Sequence, residues 1–100
     1  MSKIEILVVG TNQPIMETIA RLINKDEKWL ATIASSVEGA CEICLAKDFG
    51  LALIGAGLTD QEEGLLKQRL KELRPSLNII KHYGGGSGLL FAEIYQGLSS

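Results

Sequence analysis

The stretch that decides the fold is IEILVVGTNQPI, residues 4–15, near the start of the chain. Its first six residues form a nearly continuous β-branched and apolar run, which is typical of a strand covered on both faces. Gly10 ends the run, Thr11 or Asn12 can cap a helix, and Pro14 is tolerated in a first helical turn. Apolar residues then recur at helical spacing. The stretch predicts a buried strand followed directly by a helix.

Three further strands are predicted, over residues 29–34, 51–54 and 77–82. The first of these has a polar flank, as an edge strand would have. The second is short, apolar and bounded by glycines, which suits a buried position. Apolar residues at helical spacing follow each of the three strands, so a helix is expected after every strand.

The starts and ends of the helices have their own signals. Ser35 with Glu38, and Thr59 with Glu62, have the spacing of capping boxes at the starts of the second and third helices. Pro75 is expected to end the third helix. Strands that alternate with helices in this way predict an α/β fold with a parallel sheet, right-handed crossovers and helices on both faces.

Composition narrows the class of protein. A chain of 100 residues, 46% of them hydrophobic, fits one domain over residues 1–100 with its own core. The net charge of −2, with acids and bases interspersed, argues against a nucleic-acid binder or a polybasic membrane anchor. Nothing approaches the length of a membrane span. Two cysteines without a secretion signal predict a reducing compartment, and the cytoplasm is the expected location.

Three stretches resemble the receiver domain of bacterial response regulators. Residues 6–14 (ILVVGTNQP) resemble that family's first strand and loop, residues 48–64 (DFGLALIGAGLTDQEEG) its third strand and the following loop, and residues 73–84 (LRPSLNIIKHYG) its fourth strand. The resemblance implies a flavodoxin-like three-layer sandwich, a truncated receiver of four parallel strands in the order 2-1-3-4. It also implies a role in signal transduction.

The phosphorylation chemistry of a receiver does not carry over to this chain. Gly10 and Thr11 occupy the places of the acidic pair that holds Mg²⁺, Gly55 the place of the phosphoacceptor aspartate, and Tyr83 the place of Ser or Thr. The family's lysine lies on a fifth strand, which this sequence lacks. Asp60 cannot substitute, because a lone carboxylate holds Mg²⁺ poorly, and it is expected as an exposed residue in a helix's first turn. The resemblance therefore implies a degenerate, non-phosphorylatable receiver.

The cysteines and the single histidine are two further candidates for chemistry. Cys41 and Cys44 form a CxxC, but it begins about two turns into a helix, and no second pair completes a zinc site. Both are expected to be buried structural cysteines, with no metal and no cofactor. His82 is the only histidine and lies where open α/β sheets bind ligands, but no catalytic triad can be assembled around it.

Residues 84–88, GGGSG, are neither a P-loop nor a dinucleotide fingerprint. Glycines let backbone N–H groups converge, and the start of the last helix adds partial positive charge, so the stretch is either an anion site or a flexible corner. Ser87 could cap that helix or donate to a phosphate oxygen. If a small anionic ligand binds, the expected residues are Thr11, Asn12, Gly55, Gly57, His82, Tyr83, Gly84, Gly85, Gly86 and Ser87.

The missing fifth strand leaves the fourth as an edge, and a lysine within it agrees with that position. The last helix is apolar round more than half its circumference, which predicts either an exposed interface or a helix that tucks into the sheet. An interface would join two copies of the chain or bind another signalling protein. Its expected residues are Lys81, Leu90, Phe91, Ile94, Tyr95 and Leu98.

Two functions follow from these patterns. The first is a non-phosphorylatable receiver-like signalling module that acts through protein–protein contacts. The alternative is a small module that binds a phosphate-bearing ligand at the carboxyl edge of the sheet through glycine-rich loops. An enzyme is not expected, because no nucleophile–base pair can be assembled from the sequence.

Overall fold

The computed structural model describes residues 3–55, 57–82 and 87–99, without the side chains of residues 87 and 88. It confirms the predicted alternation of strands and helices. In chain order the elements are β1 (Ile4–Val9), α1 (Gln13–Asn24), β2 (Trp29–Ala34), α2 (Val37–Ala46), β3 (Leu51–Ile54), α3 (Asp60–Leu73), β4 (Asn78–Lys81) and α4 (Ser87–Ser99).

The four strands form one parallel sheet in the order β2-β1-β3-β4, as the resemblance implied. Strand β1 lies in the interior of the sheet, where Ile6 pairs with Ala31 on one side and with Leu51 on the other. Helices α1 and α4 cover one face, and α2 and α3 cover the other. The chain is therefore a three-layer α/β sandwich.

The core consists of one apolar cluster on each face of the sheet. Leu7 and Val9 point into the cluster under α2 and α3, whereas Ile6 and Val8 point into the cluster under α1 and α4. All four side chains are fully buried. The continuous apolar run in β1 follows from this position, because successive side chains alternate between two covered faces.

The helix starts largely match their sequence signals. Asn12 caps α1, since its Oδ1 accepts a hydrogen bond from the Ile15 N–H at 3.3 Å. Thr59 and Glu62 form the predicted reciprocal capping box of α3. The box predicted for α2 from Ser35 and Glu38 was wrong: Ser36 is the cap and accepts from the Gly39 N–H, and glycine has no side chain with which to complete a box. None of the described helices is long and apolar enough to cross a membrane.

Strand β4 is shorter than the predicted residues 77–82. The Leu77 N–H bonds the Arg74 carbonyl in the turn after α3, and the Leu77 carbonyl accepts from Lys71 Nζ at 2.6 Å. The main chain of Leu77 thus belongs to the turn that precedes the strand, and β4 begins at Asn78. At the other end, His82 still donates its N–H to the Ile54 carbonyl but follows the last residue of the strand.

Candidate functional site

The carboxyl ends of β1, β3 and β4 meet at one edge of the sheet. The Gly55 N–H donates to the Val9 carbonyl at 2.8 Å, and the His82 N–H donates to the Ile54 carbonyl at 2.9 Å. The residues that follow the three strands are therefore neighbours. This is the edge at which open α/β sheets bind ligands.

The place that corresponds to a phosphoacceptor is filled by a methionine. A Cβ atom added to Gly55 would lie 2.1 Å from Cε and 2.8 Å from Sδ of Met16. Met16 belongs to α1 and is fully buried. The end of β3 is therefore closed by a thioether. The sequence interpretation did not single out Met16, whose only signal was its helical spacing from Ile19, Ala20 and Ile23.

The loops after β1 and β3 touch each other. Gly57 has φ +102°, and a Cβ there would lie 2.1 Å from Thr11 Oγ1 and 3.0 Å from the Asn12 nitrogen. Only glycine adopts this conformation readily at such close approach. The structure thus brings Thr11, Asn12 and Gly57 together and places Gly55 beside the end of β1, although the Asn12 side chain is already engaged in capping α1.

His82 is paired with a carboxylate. Its Nδ1 lies 2.5 Å from Glu93 Oε1, and the two side chains are only 10% and 16% exposed. Glu93 is the one charged residue of α4, and the sequence interpretation did not include it. Glycine-rich loops with few acids had suggested an edge open to anions, but Glu93 brings a carboxylate to it.

Lys81 is also paired. Its Nζ lies 3.0 Å and 3.1 Å from the two carboxylate oxygens of Glu63, whose side chain is 10% exposed. This pair joins β4 to α3. Asp60 lies exposed in the first turn of α3, as expected. Glu63 was missed because its partner lies on a different element of the fold.

Part of the predicted ligand site lies outside the described residues: Tyr83, Gly84, Gly85 and Gly86. Ser87 is the first residue of α4, and its side chain is likewise not described. The prediction that the GGGSG stretch binds an anion therefore stays a prediction.

The apolar surface of α4 is mostly part of the core. Leu90 is 1% and Ile94 0% exposed, so neither lies on the surface where the interface had been expected. Phe91 and Leu98 are partly buried against the same cluster. Tyr95 is 48% exposed and packs edge-to-face on Trp29, with ring centroids 5.0 Å apart. The helix tucks onto the sheet because Trp29, at the start of β2, provides a broad apolar contact.

Both cysteines are free thiols. Cys44, on α2, is fully buried against the sheet, and this burial raises the pKa of its thiol; Cys41 is partly buried against the same cluster. Within the described residues, no three histidine, cysteine or acidic side chains are grouped so that they could hold a metal ion.

Comparison with solved structures identifies the fold. The receiver domain of the hybrid histidine kinase CckA has a TM-score of 0.80 at 14% identity, over 94% of this chain and 98% of that chain. A CheY-like receiver domain protein from Methanospirillum hungatei JF-1 has a TM-score of 0.72 at 23% identity, over 96% of this chain and 76% of that chain. The chain therefore has a CheY-like, flavodoxin-like receiver fold.

The same fold also occurs outside signalling. The lactose-specific IIB component domain of the phosphoenolpyruvate:carbohydrate phosphotransferase system from Streptococcus pneumoniae has a TM-score of 0.67 at 14% identity, over 98% of this chain and 93% of that chain. No protein-family model and no curated protein sequence matches the chain. A shared fold does not determine function, which depends on the residues of the site.

Proposed function

We propose that this chain is a non-phosphorylatable, receiver-like signalling module that acts through protein–protein contacts and not as an enzyme. The observation that carries the proposal is the pair of Met16 and Gly55. A receiver places an acceptor carboxylate at the end of its third strand, and here that position has no side chain and is filled by a buried thioether. A phosphoryl group has no acceptor there.

The charges near this edge support the same proposal. Glu63 is bound to Lys81, and Glu93 is bound to His82, so both carboxylates already have a cationic or hydrogen-bonding partner. Mg²⁺ requires several oxygen ligands in near-octahedral geometry. Asp60 is exposed in a helical turn and offers a single carboxylate.

The surface and the thiols indicate where such a module works. A net charge of −2 disfavours nucleic acid as a partner, so the contacts are with protein. The free thiols of Cys41 and Cys44 suit a reducing compartment, and we place the chain in the cytoplasm.

Phosphorylation is tested directly by incubating the chain with Mg²⁺ and a small acyl phosphate. We expect no addition of a phosphoryl group in the intact mass, because no carboxylate lies at the end of β3. A receiver domain with an intact aspartate pocket serves as the positive control. The proposal would be contradicted if the chain incorporated phosphate that hydroxylamine removes and if the Asp60→Asn variant incorporated none.

A second function, binding of a phosphate-bearing anion, is favoured by the start of α1. This helix begins at the carboxyl edge of the sheet and has no acidic residue in its first turn. The positive end of its dipole therefore faces that edge without a local countercharge.

Anion binding is tested by thermal unfolding with phosphate, nucleotides, cyclic dinucleotides and sugar phosphates. A ligand at one hundred times its dissociation constant should add about 2.7 kcal/mol, a rise in Tm on the order of 10 °C. The shift should disappear when Gly85 and Ser87 are both replaced. An unchanged Tm with every anion would remove this function and leave protein contacts.

A further inference from the structure

The two outer strands of the sheet differ in how their edges are protected. In β2, the Ala31 N–H points away from β1 and donates to Asn24 Oδ1 at 2.9 Å. The Trp29 N–H donates to the Asp26 carbonyl at 3.2 Å. A side chain and a turn thus occupy the first half of this edge, which blocks the addition of another strand.

Among the residues that the structure describes, none bonds the outer edge of β4 at Ile79. The His82 N–H bonds β3, so the main chain of alternate residues faces β3 and that of Ile79 faces away. In the part of the chain that the structure describes, β4 pairs with β3 alone. An edge of this kind is a template for pairing with another strand.

Lys81, the lysine of this edge, does not prevent another strand from pairing with β4. An edge lysine prevents pairing when its charge projects over the open side of the strand. The Lys81 ammonium instead lies against both oxygens of Glu63 on α3. Its charge is neutralised within the chain, so a second strand can approach β4 without burying an unpaired cation.

One side of α3 runs beside this open edge. Lys71 donates to the Leu77 carbonyl just before β4, which shows that this side of the helix faces β4. Asp60, Gly64, Lys67 and Lys71 follow one another at spacings of four, three and four residues, which places them on the same side of the helix. We call these four residues the α3 stripe. All four are exposed, and a Cβ added at Gly64 would meet no atom within 4 Å.

The charge order of the α3 stripe is self-complementary. It has an acid at its amino-terminal end and two lysines towards its carboxyl end. A second copy placed antiparallel brings Asp60 opposite Lys71 of the partner subunit, whereas a parallel copy would place like charges together. The open space at Gly64 leaves room for the aliphatic part of Lys67 of the partner subunit.

We propose that two copies of this chain dimerise by antiparallel pairing of their β4 edges, with the α3 stripes facing each other across a twofold axis. The two four-stranded sheets then form one continuous sheet. On the other face of the sheet, the side chain of Leu89 on α4 is 47% exposed. Leu89 lies one turn before Glu93, which contacts His82 directly after β4. The dimer covers this apolar side chain. The inference rests on the proposed function, since it names the partner as a second copy.

The first test is the mass of the full chain in solution, measured by light scattering across a concentration series. The wild type should be a dimer that dissociates on dilution. Ile79→Pro removes the outward N–H without removing a bond to β3 and should give a monomer. Ile79→Val retains that N–H and should remain a dimer. A wild-type chain that is monomeric at all concentrations overturns the proposal, as does an Ile79→Pro dimer of unchanged affinity.

A charge swap tests the predicted antiparallel contact of the α3 stripes, and because Lys71 also donates to the Leu77 carbonyl, thermal unfolding first checks that each variant is folded. Asp60→Lys and Lys71→Asp should each weaken the dimer by roughly five- to tenfold, since each change affects two ion pairs per dimer. The two changes combined should restore the affinity. Arg69→Asp, an equal charge change elsewhere on α3, is the control and should have no effect. Failure of the double variant to recover overturns the predicted antiparallel contact.

The outcomes for the dimer and for the proposed function remain distinct. Thermal unfolding of Ile79→Pro establishes that the monomer is folded before its mass is interpreted. Phosphate incorporation is then measured on the wild type and on this monomer. Incorporation by either contradicts the proposed function whatever the oligomeric state, whereas its absence together with a monomeric wild type contradicts only the dimer.

Discussion

Replacement of Gly55 by aspartate should not restore a phosphorylation site and should instead destabilise the folded chain by roughly 3–5 kcal/mol near neutral pH. The added Cβ would lie 2.1 Å from Met16 Cε, so the buried methionine has to move. The new carboxylate would also be buried beside a thioether. Urea unfolding followed by the fluorescence of Trp29 measures the loss.

Two further measurements separate the effect of steric crowding at residue 55 from the effect of the buried charge. Gly55→Ala adds only the Cβ and should cost about 1–3 kcal/mol. In a Met16→Ala background, Gly55→Ala should lower the free energy of unfolding much less, because the methionine no longer occupies the space. If the losses from the two changes simply add, Met16 and residue 55 are not in contact.

The pH dependence of Gly55→Asp identifies the charge contribution. Burial should raise the carboxyl pKa in the folded state above its unfolded value of about 3.9. The folded state then holds the proton more tightly, so stability falls as pH rises from that value towards the folded pKa. Gly55→Ala, with no added acid, should lack this additional slope. Parallel pH profiles for the two variants would rule out a buried carboxylate.

Trp29→Ala should lower the free energy of unfolding by about 3–5 kcal/mol, a fall in Tm of roughly 15–30 °C. The indole is 1% exposed and contacts Phe91 at 5.8 Å and Tyr95 at 5.0 Å between ring centroids. Its loss removes a large part of the surface on which α4 rests. Far-UV circular dichroism follows the unfolding, because Trp29 is the only tryptophan.

The control for this change is Tyr95→Ala, on the opposite side of the same contact. Tyr95 is half-exposed, so its truncation should cost only about 1 kcal/mol. Proteolysis within α4 should accelerate strongly in Trp29→Ala and little in Tyr95→Ala. Equal stability losses in the two variants would show that Trp29 does not anchor the helix.

The sequence predicted the fold well because its signals are local. The apolar run of β1, the capping box of Thr59 and Glu62, and the turn at Pro75 each depend on residues a few positions apart. The cap of α2 was predicted one residue too early, because Ser35 and Ser36 are both competent caps and the sequence does not distinguish them.

The candidate site was predicted only in part. Its glycines were identified because strand ends and turns are visible in a sequence. The partners of these residues were not: Met16 fills the space at Gly55, and Glu93 reaches His82 from another helix. The apolar surface of α4 could equally have faced a partner or the core, and in the fold it packs against Trp29 and the apolar side chains of β1 and β3.

The sequence by itself determined the order of elements, the parallel sheet and the absence of an aspartate at the end of β3. These depend on hydrophobic periodicity and on the identity of single residues. The tertiary structure alone decided that Met16 closes the acceptor position, that Lys81 turns to Glu63, and that Asn24 covers part of the outer edge of β2. The physical reason is that these contacts join separate elements, whose approach is set by the packing of the whole chain.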